Sequence, residues 1–473
     1  MAHASRLTID YRNVMAHSVG VEHGATDEAI DSLADRVRAA HDRITAEHEA
    51  GEQRWMDLPD DSALASEVIA FSQEARGRFR DFILIGIGGS SLGAIATIQA
   101  LTHPYRNTLP DDQRDGPRVF VLDNPDPEKV RATLDTVDLS QTLINVVTKS
   151  GQTAETMANF LVARDALIAV VGQKRHAAHV VATTDPSEGL LRQLADQEGY
   201  RSFPVPPGVD GRQTVLSAVG LLPAAVCGVD IHALLAGAAA MRQRCLAPGL
   251  RENPAYLLAA ICYLADRRYG KRMLVTMPYA DALYGLADWF RQLWAESLGK
   301  RLSTSGDDVF AGQTPIKALG AIDQHSQIQL YTEGPNDKLT VLIGTGSYRE
   351  KVAIPAPPTG IPELSYLQGG ELGQLLDRER TATAWALRRA ARPNLTITTP
   401  TIDAFALGEF FYLYQLQTVV AGALYDVNPF GQPGVEAGKS ATYALMGRAG
   451  YEDLRCDLSA ETEDASQYIL SPG

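Results

Sequence analysis

The sequence predicts an α/β protein in which parallel sheets are covered by helices on both faces, in two successive blocks. Three observations lead there. Between residues 82 and 184, short apolar runs alternate with helical stretches, the pattern of strands buried on both faces. The segment Pro204-Val-Pro-Pro-Gly-Val-Asp-Gly-Arg212 then interrupts that alternation with three prolines and two glycines in nine positions, which marks a boundary. Beyond it a second alternating block begins, and 473 residues leave room for two or three domains.

Taken in chain order, Thr26 followed by Asp27 and Glu28 gives an N-cap and an acidic first turn. Ile30, Leu33, Val37, Ala40 and Ile44 continue at helical spacing, so an amphipathic N-terminal arm is expected. Phe82–Ile87, Arg118–Asp123, Thr142–Val147 and Ala178–Thr183 read as strands of the first block. In the second block, Arg272–Met277 and Lys338–Ile343 read as strands and residues 281–299 as a helix. A proline-rich connection follows at Ile354–Pro362, then a strongly apolar helix over Phe410–Tyr425 and a loop at Asn428–Gly434. No repeat of 20–50 residues is visible, although the two blocks could descend from a duplication.

Composition narrows the function. With 45% hydrophobic and 21% charged residues the chain reads as soluble and globular. The net charge is −14 and the 43 basic residues form no block, which argues against nucleic acid or an anionic membrane as partner. Cys227, Cys245, Cys262 and Cys456 lack CxxC spacing, so reduced thiols in a cytoplasmic protein are expected. No apolar stretch follows the basic N-terminus, so no signal peptide is expected, and the uncharged Val215–Val229 segment is too short to span a bilayer. His176 and His179 are three apart without a third ligand nearby, so neither metal nor cofactor is expected.

The segment Trp289–Lys300 carries the most chemical information. At about 100° per residue, Leu286, Phe290, Leu293 and Trp294 form an apolar arc with Asp288 and Arg291 opposite, and Glu296 falls at the edge beside Gln292. A carboxylate there is partly desolvated, and its pKa is expected to rise toward a range suited to proton transfer. The alternative is an exposed i,i+4 pair of Glu296 with Lys300.

Two loops could hold a phosphate. Gly86-Ile-Gly-Gly-Ser-Ser-Leu-Gly93 follows a strand and opens a helix, so its N–H groups converge on one spot. It fits neither a dinucleotide fingerprint nor a P-loop, and a glycine-rich turn without ligand is the alternative. Thr148-Lys-Ser-Gly-Gln-Thr-Ala-Glu-Thr156 places hydroxyls and a cation directly after another strand. Such a loop suits a phosphate monoester at a strand's carboxyl end, although these residues also make ordinary helix caps. Arg212 could pair with Asp210, and His325 or Lys439 taken alone could be surface groups.

Together these segments, with Asp123-Asn-Pro-Asp-Pro127, Gly211-Arg212 before Leu216-Ser-Ala-Val-Gly220, Asp323-Gln-His-Ser326 and Gln432-Pro-Gly-Val-Glu-Ala-Gly-Lys439, resemble the phosphoglucose isomerase family over roughly residues 80–445. The resemblance implies two sugar isomerase (SIS) domains, each a doubly wound parallel sheet, with helical extensions at both ends. The limits expected are 1–55 for an N-terminal helical arm, 56–205 and 206–445 for the two domains, and 446–473 for a tail. It also implies reversible conversion of glucose 6-phosphate and fructose 6-phosphate through a cis-enediol, in glycolysis and gluconeogenesis.

By the same resemblance Glu296 is the base acting between C1 and C2, and Arg212 the guanidinium near the enediolate. His325 and Lys439 serve ring opening, with His325 donated across a homodimer interface. Gly89, Ser90, Ser91, Thr148, Lys149, Ser150 and Thr153 contact phosphate and sugar, and Gln292 and Gln432 line the pocket. Elementary chemistry favours this set: a carboxylate can take a proton from carbon beside a carbonyl only if the resulting oxyanion is stabilised, and Arg212 supplies a charge that never titrates away. Thr148, Ser91, Gln213 and Gly431 depart from the residues usual in the family. Two other readings are a related isomerase for mannose 6-phosphate or an amino-sugar phosphate, and a sugar-phosphate-binding regulator without turnover.

Overall fold

The computed structural model describes residues 5–359, 361–463 and 468–470. Its strands are β1 (Thr8–Asp10), β2 (Asp81–Ile85), β3 (Arg118–Leu122), β4 (Thr142–Val147), β5 (Val180–Thr184), β6 (Arg201–Pro204), β7 (Met273–Pro278), β8 (Lys300–Leu302), β9 (Asp308–Ala311), β10 (Thr314–Lys317), β11 (Lys338–Ser347) and β12 (Asn394–Thr401). One sheet has the order β3-β2-β4-β5-β6 and is parallel throughout. The other has the order β1-β12-β11-β7-β10 and is parallel except for β1. A short antiparallel pair, β8 with β9, stands apart.

Both sheets are wound alike. The chain enters on an inner strand (β2 or β7), moves to one neighbour (β3 or β10), then crosses to the far side (β4 or β11) and continues outward. Such winding covers both faces with helices, and every residue of β2 and β4 is buried accordingly. It also opens a crevice at the carboxyl ends of the two strands where the direction reverses. In the first sheet those strands are β2 and β4, and the segments that follow them are the glycine-rich loop and the Thr148–Thr153 loop.

The N-terminal arm departs from the helical expectation for residues 1–55. Its β1 adds an antiparallel edge to the second sheet, with Thr8 opposite Thr398. The Arg6 backbone N–H donates to the buried Glu409 carboxylate at 2.6 Å, which ties the arm to the core. Thr26 Oγ1 accepts the Ala29 N–H at 3.1 Å and caps a short helix, Asp27–Asp31. After a turn the arm resumes as Ala34–Glu49, and Ile30, Leu33, Val37, Ala40 and Ile44 are all buried.

The apolar C-terminal helix spans Ala404–Tyr425 and is buried on nearly every side, as a helix hydrophobic all round must be. It packs against the helices Ile231–Arg244, Pro254–Arg267 and Tyr284–Leu298. Phe290 of the last stacks on Tyr414 with ring centroids 4.2 Å apart, and Trp289 meets Phe411 edge-on at 4.8 Å. These contacts fix the rotation of the helix that carries Glu296. One continuous apolar core runs from Leu7 to Val427 and draws on both sheets. Among the described residues, no helix is long and apolar enough to cross a membrane.

Two glycines set the spacing of that core. A methyl group on Gly408 would lie 1.9 Å from the Leu234 carbonyl oxygen, and one on Gly237 would lie 1.8 Å from that of Phe405. Both obstacles are backbone, so the helices would have to separate. Gly408→Ala is expected to lower stability by about 3 kcal/mol, whereas Gly77→Ala, with nothing within 4 Å of the added carbon, should be neutral or slightly stabilising. Denaturant midpoints check this, and equal midpoints for the two variants would contradict it.

Candidate active site

The glycine-rich loop is built for close approach. A Cβ on Gly89 would lie 2.3 Å from the Gly211 carbonyl oxygen, and one on Gly88 would lie 2.8 Å from Gln292 Nε2. The bare backbone therefore lets the turn bearing Arg212 and the helix bearing Gln292 reach the end of β2. Ser90 is half-buried at this junction. Ser91 is buried, at 1% exposure, and its hydroxyl donates to Gly88 O of its own turn at 3.4 Å. It thus stabilises the loop from within and does not face the crevice as a free hydroxyl.

The Thr148–Thr153 loop closes on itself. Thr148 and Thr153 hydroxyls lie 3.2 Å apart, the Gly151 N–H donates to Thr148 Oγ1 at 3.2 Å, and the Gln152 N–H donates to Ser150 Oγ at 3.2 Å. Thr184 Oγ1 donates to Thr148 O at 2.8 Å and anchors the loop to β5. Lys149 and Ser150 stay exposed, and Lys149 Nζ donates to Val209 O at 3.2 Å. A cavity of about 580 Å³ is lined by Lys149, Asp210, Arg43, Gln53 and the Asn428–Phe430 segment.

Glu296 lies on the Tyr284–Leu298 helix with its side chain 36% exposed, while Leu286, Phe290, Leu293 and Trp294 are buried and Arg291 is exposed, paired with Asp288. One oxygen, Oε2, accepts from Arg212 Nη1 at 3.2 Å. The other, Oε1, has only a long contact of 3.4 Å from Gln292 Nε2. Lys300 does not pair with this carboxylate: its Nζ donates to the Glu296 backbone carbonyl at 2.6 Å.

Arg212 is 4% exposed and every one of its donors is matched. Nε donates to Ser297 Oγ at 3.1 Å, Nη1 to Glu296 Oε2 and to Gln432 Oε1 at 2.7 Å, and Nη2 to the Pro429 and Gly431 carbonyls, both at 3.1 Å. Asp210 lies 3.5 Å from Nη2 and also accepts the Gly431 N–H at 3.0 Å. The pairing of Arg212 with Asp210 is therefore part of a larger network, not a substitute for it. Ser297 and the two carbonyls carry no sequence signal of their own; only the demand of a buried guanidinium for five acceptors points to them.

His325 and Lys439 lie outside this hydrogen-bonded cluster. His325 is exposed after the turn Ile322–Gln324, and among the described residues its ring makes no hydrogen bond or ion pair. Lys439 is exposed on the helix Glu436–Leu445 and pairs with Glu436 at 2.8 Å. One turn further on, Tyr443 donates from its hydroxyl to Gln152 O at 2.8 Å, a single tie between this helix and the Thr148–Thr153 loop. The pair His176 and His179 is core structure: His176 meets Gln173 O and Tyr200, and His179 meets Thr142 O. Among the described residues, no three His, Cys, Asp or Glu side chains gather where they could hold a metal.

A carboxylate with one weakly held oxygen, a permanent cation beside it and hydroxyl-rich strand-end loops are suited to moving a proton on a small phosphorylated substrate. A family model described as phosphoglucose isomerase matches residues 64–340 and 381–463. A glucose-6-phosphate isomerase from Carboxydothermus hydrogenoformans is 44% identical over 451 residues, covering 95% of this chain and 96% of its own. One from Rubrobacter xylanophilus is 45% identical over 450 residues, covering 94% and 99%. Among solved structures, a hypothetical protein from Thermus thermophilus matches with a TM-score of 0.82 at 38% identity, over 93% of this chain and 100% of that one. A glucose-6-phosphate isomerase from Chlamydia trachomatis matches with a TM-score of 0.79 at 21% identity, over 95% and 94%, which speaks for the fold. With a family match over most of its length and relatives this similar from end to end, the chain belongs to the phosphoglucose isomerase family.

Proposed function

We propose that this protein interconverts glucose 6-phosphate and fructose 6-phosphate, with Glu296 as the base that carries a proton between C2 and C1. The observation that carries the assignment of the base is the asymmetric hold on its carboxylate. Oε2 is fixed by Arg212 and Oε1 is left nearly free, so one oxygen orients the group and the other meets the substrate. As the proton leaves carbon, negative charge grows on the neighbouring oxygen, and the Arg212 guanidinium beside it lowers the cost of that charge. Glu296 then returns the proton to the adjacent carbon, and no redox cofactor is required.

Ser90, Thr148, Lys149, Ser150 and Thr153 hold the phosphate and Gln292 and Gln432 the sugar, with Gly89 letting the backbone come close. Ser91 acts indirectly, by shaping the loop. His325 and Lys439 open the sugar ring, one group taking the C1 hydroxyl proton while the other protonates the ring oxygen. Exposed Ile322 and Leu330 flank His325, which supports a homodimer in which this histidine completes the partner's site. We take the two SIS domains as 56–205 and 206–445, and four unpaired cysteines support a cytoplasmic setting.

Glu296→Gln should reduce turnover of fructose 6-phosphate by about three orders of magnitude while binding of the sugar phosphate persists; near-parental turnover would end the assignment. Arg212→Lys offers at most three donors to five acceptors, so kcat is expected to fall by about 100-fold and the melting temperature to drop. An unchanged kcat would contradict the role given to Arg212. Mixing inactive His325→Ala and Glu296→Gln dimers under exchange conditions should restore turnover, because each hybrid then owns one complete site. No recovery in verified hybrids would place His325 in its own subunit's chemistry.

A further inference from the structure

Lys300 follows the Glu296 helix directly and is buried, yet among the described residues it forms no ion pair. Its Nζ donates to three backbone carbonyls: Glu296 O at 2.6 Å, Ser297 O at 3.1 Å and Gly431 O at 3.0 Å. The first two belong to the last turn of the helix, whose carbonyls have no partner within the helix. A cation there also meets the negative end of the helix dipole. The third belongs to the segment carrying Gln432, and Arg212 Nη2 donates to the same oxygen at 3.1 Å. Asp210 holds the N–H of Gly431, so that residue is gripped on both sides.

An ammonium group has three N–H donors and no acceptor, and a neutral amine has two donors. The three carbonyls therefore match the charged form. Burial, reinforced by the nearby Arg212 charge and opposed by Asp210 and Glu296, pushes the ammonium pKa down to about 8. Loss of the proton removes one of the three bonds.

We propose that Lys300, as its ammonium ion, is a positioning residue for the isomerase: it locks the last turn of the Glu296 helix to the Gly431 segment and so sets how the base, Arg212 and Gln432 face one another. This rests on the reading of Glu296 as the base. The phosphate-suited loop lies on other elements and is not held by Lys300, so phosphate binding is independent of it and only the Gln432 contact to the sugar is affected. Protonated Lys300 supports turnover, and turnover falls as pH rises through its titration.

The test compares kcat and KM for fructose 6-phosphate in the parent, Lys300→Met and Lys300→Arg across pH 6–10. Lys300→Met is expected to lose about 10- to 100-fold in kcat, with KM rising far less than kcat falls and the parent's alkaline limb abolished. Lys300→Arg, which keeps the charge, should recover part of kcat and move that limb upward. If Lys300→Met does not fold, the Lys300 signal of the ¹³Cε-lysine-labelled parent can be titrated by NMR. A midpoint coinciding with the fall in kcat supports the proposal, whereas a titration near the ordinary lysine value, or kcat flat across it, overturns it. A parental kcat and pH profile in folded Lys300→Met beside an inactive Glu296→Gln would overturn the positioning role alone. An active Glu296→Gln would remove the base assignment and the proposal together.

Discussion

The site depends on the satisfaction of one buried charge. A guanidinium removed from water costs several kcal/mol unless its N–H groups find partners, and Arg212 finds five in Ser297, Glu296, Gln432, Pro429 and Gly431. These partners come from the Tyr284–Leu298 helix and the Asn428–Gln432 segment, while Gly89 admits the Arg212 turn to the end of β2. Displacing any one segment leaves a donor unmatched. The charge proposed to stabilise an enediolate is thus also the clamp that assembles the groups around it.

The winding of the sheets explains why the clamp sits where it does. Each sheet reverses direction at an inner strand and so opens a crevice. The first crevice carries the hydroxyl-rich loops, whose backbone N–H groups and short side chains are suited to an anion. Glu296, the proposed base, comes from the other sheet, on the helix that follows β7. On the proposed assignment, phosphate recognition and proton transfer fall to different halves of the chain, and the core that joins both sheets holds them in register. The tight glycine contacts between the Ile231–Arg244 and Ala404–Tyr425 helices serve the same end, because the latter helix packs directly on the aromatic face of the Glu296 helix.

Much of this was legible in the sequence, for physical reasons. Strands buried on both faces read as apolar runs, and β2, β4, β5, β7 and β11 stand where such runs occur. β12 escaped that reading because Asn394-Leu-Thr-Ile-Thr-Thr-Pro-Thr401 is rich in threonine, and β1 because three residues at an edge leave no periodicity. The edge position of Glu296 followed from the helical wheel alone. The fate of its neighbours did not: Lys300 at i+4 could equally have reached the carboxylate, and only the fold directs it to backbone carbonyls. Ser90 and Ser91 are indistinguishable in sequence, yet one lines the junction and the other turns inward. Gly431 sits at φ +66 with its N–H and carbonyl both engaged, a conformation that favours glycine.

On the proposed assignment, Glu296, oriented by Arg212, faces the carbons between which the proton moves. The most direct measurement is a crystal structure with an enediolate mimic such as 5-phosphoarabinonate. A Glu296 oxygen should lie within about 3.5 Å of the atoms standing for C1 and C2, with the Arg212 guanidinium beside the mimic's oxyanion and the phosphate among Ser90 and the Thr148–Thr153 hydroxyls. A mimic bound with Glu296 turned away from those carbons, or with its phosphate at another loop, would contradict the account.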